Sequence, residues 1–99
     1  MRLNQEQLHA IKTSFKDVFG RGELTLFGSR VDDLKKGGDI DLFINPAEDK
    51  DDLFKLKLKF LVGLKSKIGE QKIDLVIAPF ASEELKYEVQ DTGVLLCKI

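Results

Sequence analysis

Apolar residues recur at helical spacing near the start of the chain, at Leu8, Ile11, Phe15 and Val18, which marks one face of a helix. Asn4 stands where an N-cap belongs, Gln7 follows three residues on, and Gly20 and Gly22 stop the pattern. A first helix is therefore expected over Gln5 to Phe19. A short apolar run from Leu24 to Phe27 then ends at Gly28, and a second, from Ile40 to Ile44, ends at Asn45-Pro46, a turn signal. Both read as strands. Between Asp51 and Ile68 two periods compete. Phe54, Leu56, Leu58 and Phe60 alternate with lysines as a strand would, whereas Leu53, Leu56, Phe60, Leu64 and Ile68 fit one helical stripe. Length, the Asp51-Asp52 pair at the front and Gly69 at the end favour the helix, despite Gly63. Lys72 to Ala78 reads as a third strand closed by Pro79. Ser82 can cap a last helix with Leu85 and Val89 facing inward and an end near Gly93, and Val94 to Cys97 can form a short edge strand.

This order, α-β-β-α-β-α with the edge strand after it, predicts helices packed on a small mixed sheet of three or four strands, an α/β (α+β) fold. No internal repeat or flexible linker interrupts it. A chain of 99 residues is read as one domain over residues 1–99, with a core that hides only about two-thirds of the unfolded surface. Composition narrows the function classes. The lone Cys97 excludes an internal disulfide, and the opening MRLNQEQLHAIKTSF lacks the apolar run of a signal peptide, so a cytoplasmic setting is expected. Charges break every apolar run well short of the roughly 20 residues that span a bilayer, so no membrane partner is expected. Sixteen basic residues against seventeen acidic ones disfavour a nucleic-acid partner, because backbone binding calls for a positive excess.

The segment from Leu24 to Ile44, LTLFGSRVDDLKKGGDIDLFI, carries the chemistry. Its first strand runs into Gly28-Ser29, where glycine permits a tight turn and the serine hydroxyl and neighbouring amides can donate to phosphate oxygens. Its second strand carries Asp39 and Asp41 two positions apart, so alternation points both carboxylates to one face and Ile40, Leu42 and Ile44 to the other. Two strand residues rise about 6.6 Å, which suits carboxylates flanking magnesium ions roughly 3.5–4 Å apart. Taken singly, Gly-Ser after a strand is an ordinary turn and Asp-x-Asp is a solvated strand edge. Their succession is more telling.

A Gly-Ser, a short connection and then Asp-x-Asp followed by apolar strand residues resembles the signature of the polymerase-β-like nucleotidyltransferase superfamily. Here it reads Gly28-Ser29, nine residues, then Asp39-Ile40-Asp41-Leu42-Phe43-Ile44. The short chain and the Gly37-Gly38 pair before Asp39 look like the minimal nucleotidyltransferases of the HEPN/MNT antitoxin type. The connection is one residue shorter than the commonest form, and the Ala-Arg-Gly that often follows the Gly-Ser is here Val31-Asp32-Asp33. Basic help at the phosphates then falls to Arg30, or to Lys35 and Lys36. The resemblance implies a polymerase-β palm-like fold and a third carboxylate on the neighbouring strand, for which Asp74 in KIDLVIA is the candidate. A β-helix-β crossover would make those strands parallel, and alternation puts Ile73, Leu75 and Ile77 on the face away from Asp74. Alone, Asp74 would be an ordinary strand-edge aspartate.

The resemblance further implies that Asp39, Asp41 and Asp74 hold two Mg²⁺ ions, with Mn²⁺ as an alternative. Gly28, Ser29 and Arg30 would bind the phosphates of an NTP, by resemblance ATP. Larger relatives carry an acceptor-binding domain for which this chain has no room, so the acceptor should come from another polypeptide. For minimal nucleotidyltransferases that is a small helical HEPN toxin, neutralised by AMP added to a tyrosine. Two rivals remain from other classes: a binding module that neutralises its partner by contact alone, and a small-molecule nucleotidyltransferase. Oligomer formation stays open. Lys55, Lys57, Lys59, Lys65 and Lys67 read as a solvated helix face, and His9 and Cys97 lack partners for metal or nucleophilic chemistry.

Overall fold

A computed structural model describes residues 1–32, 34, 38–48, 51–69 and 71–99. The first helix, α1, spans Gln5–Phe19, and its start is a reciprocal capping box: the Asn4 side chain accepts from the Gln7 amide while the Gln7 side chain accepts from the Asn4 amide. Two of the helix's otherwise orphaned donors are satisfied in this way. β1 (Gly22–Phe27) follows, then one 3-10 turn at Gly28–Val31, and β2 (Ile40–Pro46). α2 (Leu53–Ile68) starts at Asp52, whose carboxylate accepts from the Lys55 amide at 3.0 Å, and ends at Gly69. β3 (Ile73–Ile77), α3 (Glu83–Thr92, capped by Ser82) and β4 (Val94–Lys98) complete the chain. The competing strand pattern over Phe54–Phe60 loses because the helical stripe buries Phe60 and Leu64 completely, whereas Phe54 and Leu58 stay exposed.

The strands form one mixed sheet in the order β3-β2-β1-β4. β1 runs antiparallel to β2 and to β4, and β2 runs parallel to β3 through the α2 crossover. β4 is the edge strand expected from the sequence. Asn45-Pro46 differs from expectation. Both residues belong to β2 and pair with Glu23 and Gly22, so the hairpin ladder runs two residues further than the turn signal suggested. Pro46 is tolerated there because it closes the last pair of the strand. Gly22 allows that close approach, since a Cβ on it would run into the Asn45 carbonyl.

Alternation divides the sheet's chemistry. Leu24, Leu26, Ile40, Leu42, Ile44, Ile73, Leu75 and Ile77 face α1 and α2 and pack with Ile11, Phe15, Phe19, Phe60 and Leu64 into the main core. On the opposite face Phe27 and Phe43 meet Val89 of α3 in a smaller cluster. α3 therefore covers only part of that second face. No described helix is long and apolar enough to cross a membrane.

Candidate functional site

The incompletely covered face presents the carboxylates. Asp41 and Asp74 are register partners across the parallel β2–β3 pair, and Phe27, the last residue of β1, is the partner of Asp41 on its other side. Gly28 therefore follows directly beside Asp41. Its φ of 78° is open to glycine, and a Cβ there would collide with Oδ2 of Asp41. The turn and the carboxylate are packed together.

Asp39 lies one residue ahead of β2, two positions before Asp41. One of its oxygens, Oδ2, is 3.4 Å from Nζ of Lys72, the residue just before β3. The two strand entrances are tied further by the Ile40 amide donating to the Lys72 carbonyl. Among the described residues, no three His, Cys, Asp or Glu side chains are gathered tightly enough to hold a metal ion as they stand. Asp74 and Asp39 nonetheless lie near enough for their charges to act on Asp41. Burial first, then the charges of Asp74 and Asp39, a hydrogen bond with Asp74 and the charge of Glu88 on α3 push the Asp41 carboxyl above its ordinary range. Excess negative charge beside oxygen donors is the environment a hard divalent cation relieves.

The Gly28–Val31 turn is held by two arginines. Arg2 donates from Nη2 to the Ser29 carbonyl (2.7 Å) and from Nε to the Asp32 carbonyl (2.8 Å). Arg30 donates from Nη1 to the Arg2 carbonyl (2.9 Å) and from Nε to the Gly38 carbonyl (3.2 Å). Two of the Arg30 donors are thus directed to backbone carbonyls. The Ser29 hydroxyl lies against Gly38, where a Cβ would displace it. Lys35 and Lys36, the other candidates for phosphate charge, lie outside the described residues.

A groove of ≈ 670 Å³ opens on the same sheet face beneath α3, lined by Glu23, Thr25, Phe43, Asn45, Lys86 and Leu95 among others. It sits toward the opposite end of the strands, and neither the three aspartates nor Ser29 line it. The carboxylates and the turn define the candidate site; the groove does not.

The family described as "Polymerase beta, Nucleotidyltransferase" matches residues 9–99. The chain belongs to the polymerase-β nucleotidyltransferase family. No curated protein shows significant sequence similarity to it. Solved structures that superpose on this nucleotidyltransferase include toxin-antitoxin complexes. One is tri-AMPylated Shewanella oneidensis HEPN toxin with MNT antitoxin, at 23% identity, TM-score 0.73, covering 98% of this chain and 74% of that one. Another is a toxin-antitoxin with AMP-PNP, at 23% identity, TM-score 0.75, covering 93% and 73%. A third is the MntA-HepT complex, at 23% identity, TM-score 0.72, covering 97% and 74%. At these identities the likeness establishes the fold.

Three features of this nucleotidyltransferase's site escaped the sequence reading. Lys72 was legible in principle, since placing Asp74 beside Asp41 puts the residue before β3 next to the residue before β2. Glu88 and Arg2 carried no local signal, because both reach the site only through tertiary packing.

Proposed function

We propose that this chain transfers AMP from ATP to a hydroxyl of a separate helical protein, a tyrosine of a HEPN toxin, and so acts as its antitoxin in the cytoplasm. The whole of residues 1–99 serves as the nucleotidyltransferase domain. The observation that carries the reading is the pairing of Asp41 with Asp74 across β2 and β3, with the Gly28 turn packed on the Asp41 carboxylate. An AMPylated HEPN toxin and an AMP-PNP complex among the structural neighbours support this choice of acceptor and nucleotide.

In this reading Asp39, Asp41 and Asp74 hold two Mg²⁺ ions, with Mn²⁺ able to replace them. Their oxygen donors and the raised Asp41 carboxyl fit hard cations. When bound, such ions offset charge building on the α-phosphate and acidify the acceptor hydroxyl. The Gly28-Ser29 turn grips the β- and γ-phosphates through the serine hydroxyl and backbone amides. Arg30 adds positive charge beside the phosphates while two of its donors fix that turn. The acceptor oxygen attacks the α-phosphorus, its proton passes to Asp74, and the bond to the β-phosphate oxygen breaks to release pyrophosphate. Positioning and preorganised charge account for most of the acceleration.

The test is intact mass spectrometry of the partner after incubation with Mg²⁺, ATP and this protein. Wild type should add AMP-sized increments, and Asp39→Ala or Asp41→Ala should abolish them. Equal modification by wild type and both variants would overturn the assignment.

A further inference from the structure

The segment ahead of α1 reaches across to the phosphate turn, and the bonds it makes there are unusually directed. The turn has little of its own to hold it. None of its residues is buried, no side chain caps its start, and only Val31 packs partly against the main core. Beyond the Asp32 amide donating to the Ser29 carbonyl, its shape rests on bonds made by two arginine side chains. The Arg2 guanidinium takes two carbonyls, those of Ser29 and Asp32, and the Arg2 amide donates to the Arg30 carbonyl at 2.7 Å. Arg30 closes the loop by donating to the carbonyls of Arg2 and Gly38. Gly38 immediately precedes Asp39 and packs on the Ser29 hydroxyl. The two arginines therefore bridge the beginning of the connection, at Ser29, to its end, at Asp39. A planar fork of fixed donors suits this task, because charge-assisted bonds to carbonyls hold both distance and direction.

We propose that Arg2 is a positioning residue for nucleotide binding: its guanidinium sets the Gly28–Val31 turn so that the Ser29 hydroxyl meets the phosphates. The inference rests on the nucleotidyltransferase reading above. Arg2 acts through Ser29 and does not itself touch the nucleotide. Its side chain is separable from the rest of the clamp, because the Arg2 carbonyl and amide persist in Arg2→Ala.

The experiment is a double-mutant cycle on the full chain, read by calorimetric titration with Mg²⁺ and AMP-PNP. Arg2→Ala should weaken binding by about tenfold, as should Ser29→Ala. On the Ser29→Ala background, Arg2→Ala should weaken it by less than about threefold, because the hydroxyl it positions is already gone. Turnover should show a raised KM for ATP with kcat at saturation largely kept. Arg2→Lys, offering one ammonium to two carbonyls, should fall between wild type and Arg2→Ala, and it replaces Arg2→Ala in the cycle if that variant does not fold. Binding within about twofold of wild type in the Arg2 variants, or losses that multiply independently, would overturn the proposal while leaving the nucleotidyltransferase reading intact. Failure of wild type itself to bind Mg²⁺ and AMP-PNP would overturn that reading, and the positioning role with it.

Discussion

Replacing Asp41 by Asn should make the metal-free protein more stable, although Asp41 stands at the centre of the proposed site. Register partners on neighbouring strands lie about 4.8 Å apart, so the Asp41 and Asp74 charges are separated by roughly 5 Å. At that distance two carboxylates repel by about 3 kcal/mol at an effective dielectric of 20, and by just under about 1 kcal/mol in water. Asp74 is exposed and Asp41 half-buried, so solvent screening governs, and about 1 kcal/mol is the reasonable figure. Asn keeps the shape and can donate an N–H to the Asp74 carboxylate, as a protonated Asp41 does. For a domain of this size, about 1 kcal/mol corresponds to a Tm rise of about 4–8 °C. The pH dependence has a definite sign. The Asp41 carboxyl is raised in the folded state above its ordinary 3.8, by burial first, then by Asp74, Asp39 and Glu88. Between 3.8 and that raised value the folded state binds more protons than the unfolded one, so wild-type stability falls as pH rises through this window. The advantage of Asp41→Asn should therefore be full at neutral pH and vanish well below 3.8. The assay is thermal melting in chelator across pH. A variant that melts at or below wild type at neutral pH, or keeps its full advantage in acid, would refute the repulsion.

Ligand binding should act in the opposite sense. Mg²⁺ with ATP at about 100 times its Kd should stabilise wild type by about 2.7 kcal/mol, and Asp41→Asn should lose most of that gain; equal shifts in a melting series would separate Asp41 from the ligand site. Gly28→Ala should destabilise the fold by about 1–2 kcal/mol, since the φ of 78° disfavours an L side chain. It should also abolish AMP transfer by pushing the Asp41 carboxylate aside. Urea unfolding and an activity assay check both, and a stable, active variant would show that the turn and the carboxylate are not packed together.

Much of this arrangement was legible in the sequence because it depends on periods. Alternation in Ile40-Asp41-Leu42 and Ile73-Asp74-Leu75 separates apolar from acidic faces, and the crossover makes the strands parallel. The Asn4 and Asp52 caps and the glycine stops are local chemistry, so the first two helices ended where expected. What could not be read depends on contacts between distant segments. β2 runs on through Asn45-Pro46 because Gly22 and Glu23 offer it a partner, which no local turn signal records. Asp39 falls just ahead of the β2–β3 ladder, beside Lys72. The bonds that Arg30 makes to the carbonyls of Arg2 and Gly38 likewise join segments far apart in the sequence or across the connection, which no local signal records.

The repulsion in the site persists because the same strands are anchored from their other side. Ile40, Leu42 and Ile44 of β2 and Ile73, Leu75 and Ile77 of β3 are all buried against α1 and α2. Full burial of each such side chain contributes about 1.5–3 kcal/mol, so six of them contribute on the order of 10 kcal/mol before entropy is charged, far above the roughly 1 kcal/mol of repulsion estimated for Asp41 and Asp74. Relief by sliding is closed as well. A one-residue slip of β3 against β2 would turn Asp74 into the apolar core and expose its isoleucines. The core thus holds the carboxylates side by side whether or not a ligand is present. Ligand binding should accordingly register as added stability on an already folded sheet, with the far-ultraviolet circular dichroism unchanged, rather than as a folding event.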